Sequence, residues 1–325
     1  MDNSSPILVT IFVLTYKKFI TIYDNLRSIV RQDYPCIELL VSDDGSGNFP
    51  LEGVEEFLQA NCQENVLKWQ VFANPKNVGT VRHINFLLSK AHGQLFIPLS
   101  ADDEFYNNHV ISEIVAEYNR IHFNVLSTSR VAVDPNGIKQ YLYPHLLERI
   151  VIKRSIQTPN QQLCRLLQGR FCNFASGSTM SIRTAFLKQL GGHNENYILW
   201  EDAPFIAKIT SMGYKIDYKL NMISVKYGLG GVSNGGAHGN VKTLFGKDSI
   251  QYKKDKLEYR KIIKDKLTLR FIEYDEFYTE NSSYPKLLLW RIKYLDVFLL
   301  KKWHSCFERL ALAFDKLYLR NHLLE

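Results

Sequence analysis

A chain of 325 residues with 46% hydrophobic and 22% charged content can bury a full core and still carry an appendage, which excludes a disordered or fibrous protein. Its net charge of +7 is uneven, because Val241 to Glu325 holds 18 Lys or Arg against 12 Asp or Glu, so the basic excess sits in the tail. No run reaches the roughly 18 apolar residues of a membrane span, and Met1-Asp2-Asn3-Ser4-Ser5-Pro6 lacks the basic start of a secretory signal, so a cytoplasmic protein is expected.

In chain order, Ile7 to Thr15 is apolar and β-branched, which predicts a buried strand, and Ile20 to Arg31 carries Ile22, Leu26, Ile29 and Val30 at helical spacing. Ile37 to Ser42 is a second short strand, stopped by Asp43-Asp44-Gly45-Ser46-Gly47. Two strands joined by a crossover helix imply parallel pairing with helices on both faces. The alternation continues with a helix at Leu51 to Asn61, a strand at Leu67 to Phe72, a helix at Thr80 to Ala91 and a strand at Leu95 to Leu99. A helix at Asn107 to Ile121 leads to a strand at Val125 to Val133, and Asp134-Pro135-Asn136-Gly137 is a hairpin turn by composition, so the sheet becomes mixed there. Leu146 to Leu167 reads as helix, Phe171 to Arg183 as a Ser- and Gly-rich strand, Thr184 to Leu190 as helix, and Trp200-Glu201-Asp202-Ala203-Pro204 opens another. Tyr227 to Gly236 holds five glycines in ten positions, which predicts a loop and a domain edge, and Leu267 to Leu324 is helical. The cysteines Cys36, Cys62, Cys164, Cys172 and Cys306 never fall in the short pairs of a zinc or redox site, so they read as reduced core side chains.

In an open parallel sheet the ligand crevice lies beyond the carboxyl ends of the strands. This chain puts carboxylates there: Asp43-Asp44 after one strand, Asp102-Asp103 after another, and Glu201-Asp202 at a helix start. Gathering several carboxylates is unfavourable unless a cation is bound, and hard oxygen ligands together with a diphosphate suit Mg²⁺ or Mn²⁺. Each pair also has a local explanation, as a turn, a helix cap or a charged first turn favoured by the helix dipole.

Val13-Leu14-Thr15-Tyr16, Ser42-Asp43-Asp44-Gly45-Ser46, Asn77-Val78-Gly79-Thr80, Ser100-Ala101-Asp102-Asp103 and Trp200-Glu201-Asp202 occur in this order. As an ordered set over residues 6 to 235 they resemble the family 2 glycosyltransferases. The resemblance implies a GT-A type α/β fold, a mixed, mostly parallel sheet flanked by helices, to which the helical pattern of Leu267 to Leu324 adds a C-terminal helical extension. Residues 1–240 would form the transferase domain, about 1–125 on the nucleotide-sugar side and 126–240 on the acceptor side, and 241–325 the basic amphipathic extension.

What else the resemblance implies can be carried over position by position. Thr15 and Tyr16 would line the nucleotide pocket, and Asp44, helped by Asp43, would accept from the base or ribose. Arg82 is the candidate donor contact, two positions before the site the family favours. Asp103 would touch Mn²⁺ or Mg²⁺ directly and Asp102 would contact ribose or the metal shell, with Ser100 standing where many relatives have a further Asp. Asp202 matches the general base, Glu201 would orient it or bind the acceptor, and Trp200 would stack on a sugar. In the glycine-rich loop, where relatives place a His or Arg on the diphosphate, His238 is the candidate and Lys226 a lesser one.

The reaction so implied is inverting transfer from a nucleoside-diphosphate sugar, UDP-hexose by preference, to a glycan or polyprenyl-linked acceptor in O-antigen or capsule synthesis. The tail, residues 285–325, would meet the inner face of the plasma membrane or pack on its own domain or a second copy; nucleic acid fits poorly because no recognised motif accompanies the charge. Two alternatives stand beside this. A nucleotidyltransferase normally opens with a glycine-rich basic loop, and Leu14-Thr15-Tyr16-Lys17-Lys18 has no glycine; a non-catalytic relative would have lost its acids, and all three clusters are present.

Overall fold

The computed structural model describes residues 5–169, 174–229, 240–280 and 284–322. Val9–Thr15 is β1, followed by α1 (Ile22–Val30), β2 (Ile37–Asp43), α2 (Leu51–Asn61), β3 (Val66–Ala73), α3 (Thr80–Lys90) and β4 (Leu95–Pro98). The apolar strands β1 and β2 are buried along almost their whole length, because helices cover both faces. Val9, Ile11 and Val13 of β1 enter the core built with α1 and α2, whereas Phe12 points to the opposite core with Ile84 and Leu87 of α3.

β1 pairs in parallel with β2 from Val9↔Ile37 to Thr15↔Asp43, and on its other edge with β4. This register brings the strand ends level. The order β3-β2-β1-β4 reverses direction beside β1, which creates the crevice of a doubly wound sheet.

The second half comprises β5 (Glu104–Phe105), α4 (Val110–Ile121), β6 (Val125–Val133), β7 (Lys139–Tyr143), α5 (Leu146–Ser155), α6 (Pro159–Gln168), a 3₁₀ turn (Gly177–Thr179), β8 (Met180–Arg183), α7 (Thr184–Gln189), α8 (Asp202–Ser211) and β9 (Asp217–Gly228). The sheet is mixed from here on: β8 runs antiparallel to β4 and β6, β7 forms the expected hairpin with β6, and β9 lies parallel to β6 and antiparallel to β5.

Three expectations are corrected. The helix expected over Leu146 to Leu167 is two helices, because Thr158 caps α6 and Pro159 occupies its first turn, where no N–H is needed. The strand expected over Phe171 to Arg183 is ordered as a strand only at Met180–Arg183, and residues 170–173 lie outside the described residues. Tyr227 and Gly228, expected in a loop, end β9, a strand the sequence reading did not assign. Its alternation is masked because the pairing with β6 shifts register twice.

Beyond β9, the chain forms α9 (Asn240–Tyr259), α10 (Lys266–Glu280), α11 (Tyr284–Lys293) and α12 (Leu295–His322). α12 is tied to the sheet by Asp315, fully buried, which accepts from Leu142 N (2.8 Å), Leu146 N (3.0 Å) and the His145 ring (2.7 Å). Burial opposes charge on His145, but the Asp315 hydrogen bond and the charges of Glu148, Asp315 and Glu308 outweigh it and raise its pKa. Cys36, Cys62, Cys164 and Cys306 are unpaired thiols; Cys172 lies outside the described residues. No helix among the described residues is long and apolar enough to cross a membrane.

Asp315→Ala strands two buried amides and an imidazole together, so unfolding free energy is expected to fall by about 3 kcal/mol, as for breaking a buried polar pair. Urea denaturation followed by circular dichroism measures this. An unchanged midpoint would mean that α12 is not fastened by this carboxylate.

Candidate active site

The loops leaving β1, β2 and β4 are held together at one edge of the sheet. Asp44 N donates to Thr15 O at 2.9 Å, Ala101 N to Leu14 O at 3.0 Å, and Lys17 N to Ser46 Oγ at 2.8 Å. From α1, buried Asn25 donates to both Ser100 O and Asp103 O at 2.8 Å, fixing the turn that carries the Asp102-Asp103 pair.

From these loops a chain of contacts runs round the rim. Asp44, buried, accepts from Asn74 Nδ2, Val78 N and Gly79 N. Gly79 has φ +88°, and a Cβ there would lie 2.7 Å from Ile198 Cγ2, so only glycine allows the 77–80 loop to seat on the segment before Glu201. Val81 N donates to Ile198 O at 3.1 Å. Asp202 next accepts a long hydrogen bond from Gly177 N at 3.4 Å. On either side of that glycine, Ser176 and Ser178 take hydrogen bonds from Arg130 Nη1 at 3.0 and 2.6 Å. Arg130 stacks on the rings of Tyr227 and Tyr143, at 3.8 and 4.4 Å. Its charge acts on Asp103, whose Oδ1 accepts from Gly228 N at 3.0 Å. Asp102 closes the circuit next to the Lys18 charge. A relay of contacts therefore links the three acidic clusters.

The electrostatics of that rim are strained. Burial first, and then the neighbouring charge of Asp102, push the Asp103 carboxyl well above the usual carboxylate range, against the Gly228 hydrogen bond and Arg130. Its Oδ2 is buried with no hydrogen-bond partner among the described residues. Burial also raises Asp102, opposed by Lys18. Glu201 is partly exposed as a residue, yet its carboxyl end is enclosed; burial, then the Asp202 charge, push it up to about 8. Both influences favour the protonated form of Glu201.

The candidate contact residues already have partners within the chain. Asp44 spends three of its roughly four acceptor positions on the 74–79 loop, and Asp43 accepts from Ser46 N and Oγ, so both carboxylates first serve their own chain. Thr15 Oγ1 donates to Lys18 O at 3.0 Å, and Lys17 Nζ lies over the Tyr16 ring. Arg82, the candidate donor contact, is exposed and pairs with Glu195 at 3.4 Å. Trp200 packs edge-to-face on Tyr252 of α9, with centroids 5.8 Å apart. Lys226 pairs with Glu104, and His238 lies outside the described residues.

With this geometry in place, comparison with known proteins is decisive. The sequence model of the family described as Glycosyl transferase family 2 matches residues 10–191, more than half the chain. The chain belongs to this family.

A curated relative, an uncharacterized glycosyltransferase of Haemophilus influenzae, is 28% identical over 96 residues, which cover 30% of this chain and 28% of that protein. Among solved structures, S. aureus TarS 1–349 superposes with a TM-score of 0.51 at 22% identity, covering 68% of this chain and 60% of that one. The mannosyltransferase PcManGT of Pyrobaculum calidifontis, in complex with GDP-Man and Mn²⁺, gives 0.56 at 16% identity, covering 97% of this chain and 88% of that one. The chain thus spans less than two thirds of the curated relative and of TarS 1–349, and at these identities the structural likeness shows the glycosyltransferase fold.

Four residues of this candidate site escaped the sequence reading: Asn25, Arg130, Asp248 and, through its backbone, Gly177. Asp248 of α9, almost fully buried, accepts from Ile198 N (2.9 Å), Leu199 N (2.7 Å) and Trp200 N (3.0 Å), fixing the segment that leads into Glu201-Asp202. Nothing local marks it, since it lies in a helix about fifty residues downstream with a charged, weakly amphipathic sequence.

Because the pKa of Glu201 rises from an ordinary 4.5 to about 8 on folding, its neutral form contributes stability that is complete below pH 4.5 and lost as pH climbs through 8. Glu201→Gln cannot ionise, so its melting temperature is expected to vary less between these limits and to exceed the parent's by a few degrees at the upper one. Differential scanning calorimetry across that range decides it; parallel curves for the two proteins would show that Glu201 does not carry the proton.

Proposed function

We propose that this protein transfers a sugar, with inversion, from a nucleoside-diphosphate sugar to an acceptor hydroxyl, using Asp202 as general base. The observation that carries the reading is the closed circuit of contacts linking Asp44, Asp102-Asp103 and Glu201-Asp202 round one edge of the sheet. TarS 1–349 has been crystallised with UDP-GlcNAc and PcManGT with GDP-Man and Mn²⁺, which supports a nucleotide-sugar donor and a divalent cation here; a UDP-hexose is the donor we favour.

The residues fit such a cation. Among the described residues no three His, Cys, Asp or Glu side chains form a self-sufficient ligand set. Asp103 nevertheless offers a buried oxygen that no donor among the described residues uses, and Asp102 adds a second carboxylate from a more open position, which suits an ion that completes its shell with diphosphate oxygens. When bound, the ion supplies charge compensation for the departing diphosphate.

The chain's own groups do the rest. Thr15, Tyr16 and the remaining acceptor position of Asp44 border the nucleotide. Asp202 takes the acceptor hydroxyl's proton as that oxygen attacks the anomeric carbon and the bond from this carbon to the diphosphate oxygen breaks. Glu201, protonated, places a hydrogen-bond donor beside the base or the acceptor. Trp200, set at a steep angle to the Tyr252 ring of α9, is the residue we assign to stacking on a sugar. A polyprenyl-linked acceptor at a membrane surface, in O-antigen or capsule assembly, is the setting we assign.

A donor panel assayed for released nucleotide, followed by transfer to a trapped acceptor, tests this. Asp202→Asn is expected to lower kcat by about 10²–10⁴-fold with donor KM within a few-fold, the range for losing a general base. Asp103→Ala is expected to raise donor KM instead. Unchanged turnover in both variants would remove these roles.

A further inference from the structure

The exposed large apolar side chains are concentrated on the last two helices. α12 presents Leu299, Trp303, Leu310 and Leu317, spaced by four and seven residues so that they form one stripe, and α11 carries the exposed Leu289 and Ile292. Leu289 is 69% exposed, Trp303 63% and Leu310 60%. Singly exposed leucines need no explanation, but a continuous stripe along a helix about 42 Å long, from 28 residues at the ordinary rise, marks an interaction surface. The opposite face of α12 is the one that packs inward, through Val297, Ala311, Asp315 and Leu319.

Charge identifies the occupant. Lys302, Arg309, Lys316 and Arg320 fall along one flank of the stripe, roughly 75–115° round the helix from its centre at the usual 100° per residue. The acids of α12 within the described residues are already engaged: Asp296 by Arg270, Glu308 by His304 and Asp315 by the sheet. The exposed face is therefore apolar and cationic with no free carboxylate to balance it. A second copy meeting it in antiparallel register would set these cations against their own equivalents, whereas an anionic surface would neutralise them. An apolar stripe with a tryptophan in it and a basic flank is the pattern that lies in the plane of a bilayer interface.

We propose that the outer face of α11 and α12 docks this protein on an anionic lipid bilayer, with the apolar stripe at the acyl boundary and the Lys/Arg flank at the headgroups. This deepens the reading of a membrane-borne acceptor by naming the surface that meets the lipid. Docking is read without donor or acceptor, so its failure and failure of the transfer reaction are separate results.

The test is co-sedimentation of the full chain with phosphatidylcholine vesicles and with vesicles that also contain phosphatidylglycerol. Binding to the anionic vesicles alone is expected. Lys302→Gln/Arg309→Gln/Lys316→Gln should weaken it on the order of a hundredfold, at about 1 kcal/mol per basic residue, and Leu299→Gln/Trp303→Gln/Leu310→Gln should abolish it. All six positions face solvent or are partly exposed, so both variants should keep the parent's helical circular dichroism. No binding by the parent, or binding indifferent to both triple substitutions, would overturn the proposal. So would a stable dimer by light scattering that the apolar variant converts to monomer, because a second copy would then own this face.

Discussion

The structure is organised around carboxylates that must be neighbours although they repel one another. Asp103 is held almost without exposure beside Asp102, and Glu201 is enclosed beside Asp202, with Arg130 and Lys18 as the cations whose charge reaches Asp103 and Asp102. The response is visible in the protonation: Asp103 and Glu201 are both driven toward the neutral form. Such an arrangement is costly unless something of opposite charge, or a substrate that can use it, completes the site.

The rest of the molecule keeps those groups in place. The level register of β1 and β2 aligns Thr15 with Asp43, and the antiparallel return through β9 delivers Gly228 to Asp103. A Cβ on Gly228 would overlap Asp102 O, so the closeness of strand and acidic turn depends on that residue having no side chain. The helices after β9 take part in the same task. Asp248 grips the three amides before Glu201, Tyr197 donates to Asp255, and Asp315 locks α12 onto β7 and α5. The basic tail is thus fastened from within while its outer face stays apolar and cationic.

Most of the N-terminal half was legible in the sequence, because a buried parallel strand is a continuous apolar run and each one here stops at a polar turn. α2 matches its expected span residue for residue, and β6 does too. The second half was harder for reasons that can be named. β9 pairs through two register shifts, which break the period-two signal; Pro159 sits where proline starts a helix, yet the apolar spacing runs on across it. Within the site, acidic pairs at strand ends could be found by position. Asn25, Arg130 and Asp248 could not, since each acts at long sequence separation and only the fold brings it to the rim.

The central claim is that the acidic rim is completed by a divalent ion and a diphosphate together. Isothermal titration of UDP into the protein, with and without Mn²⁺, tests it most directly. Nucleotide affinity is expected to rise on the order of tenfold or more with the metal, and metal affinity by the same factor with the nucleotide, as linkage requires. Equal UDP affinity in the presence and absence of Mn²⁺ would contradict the account.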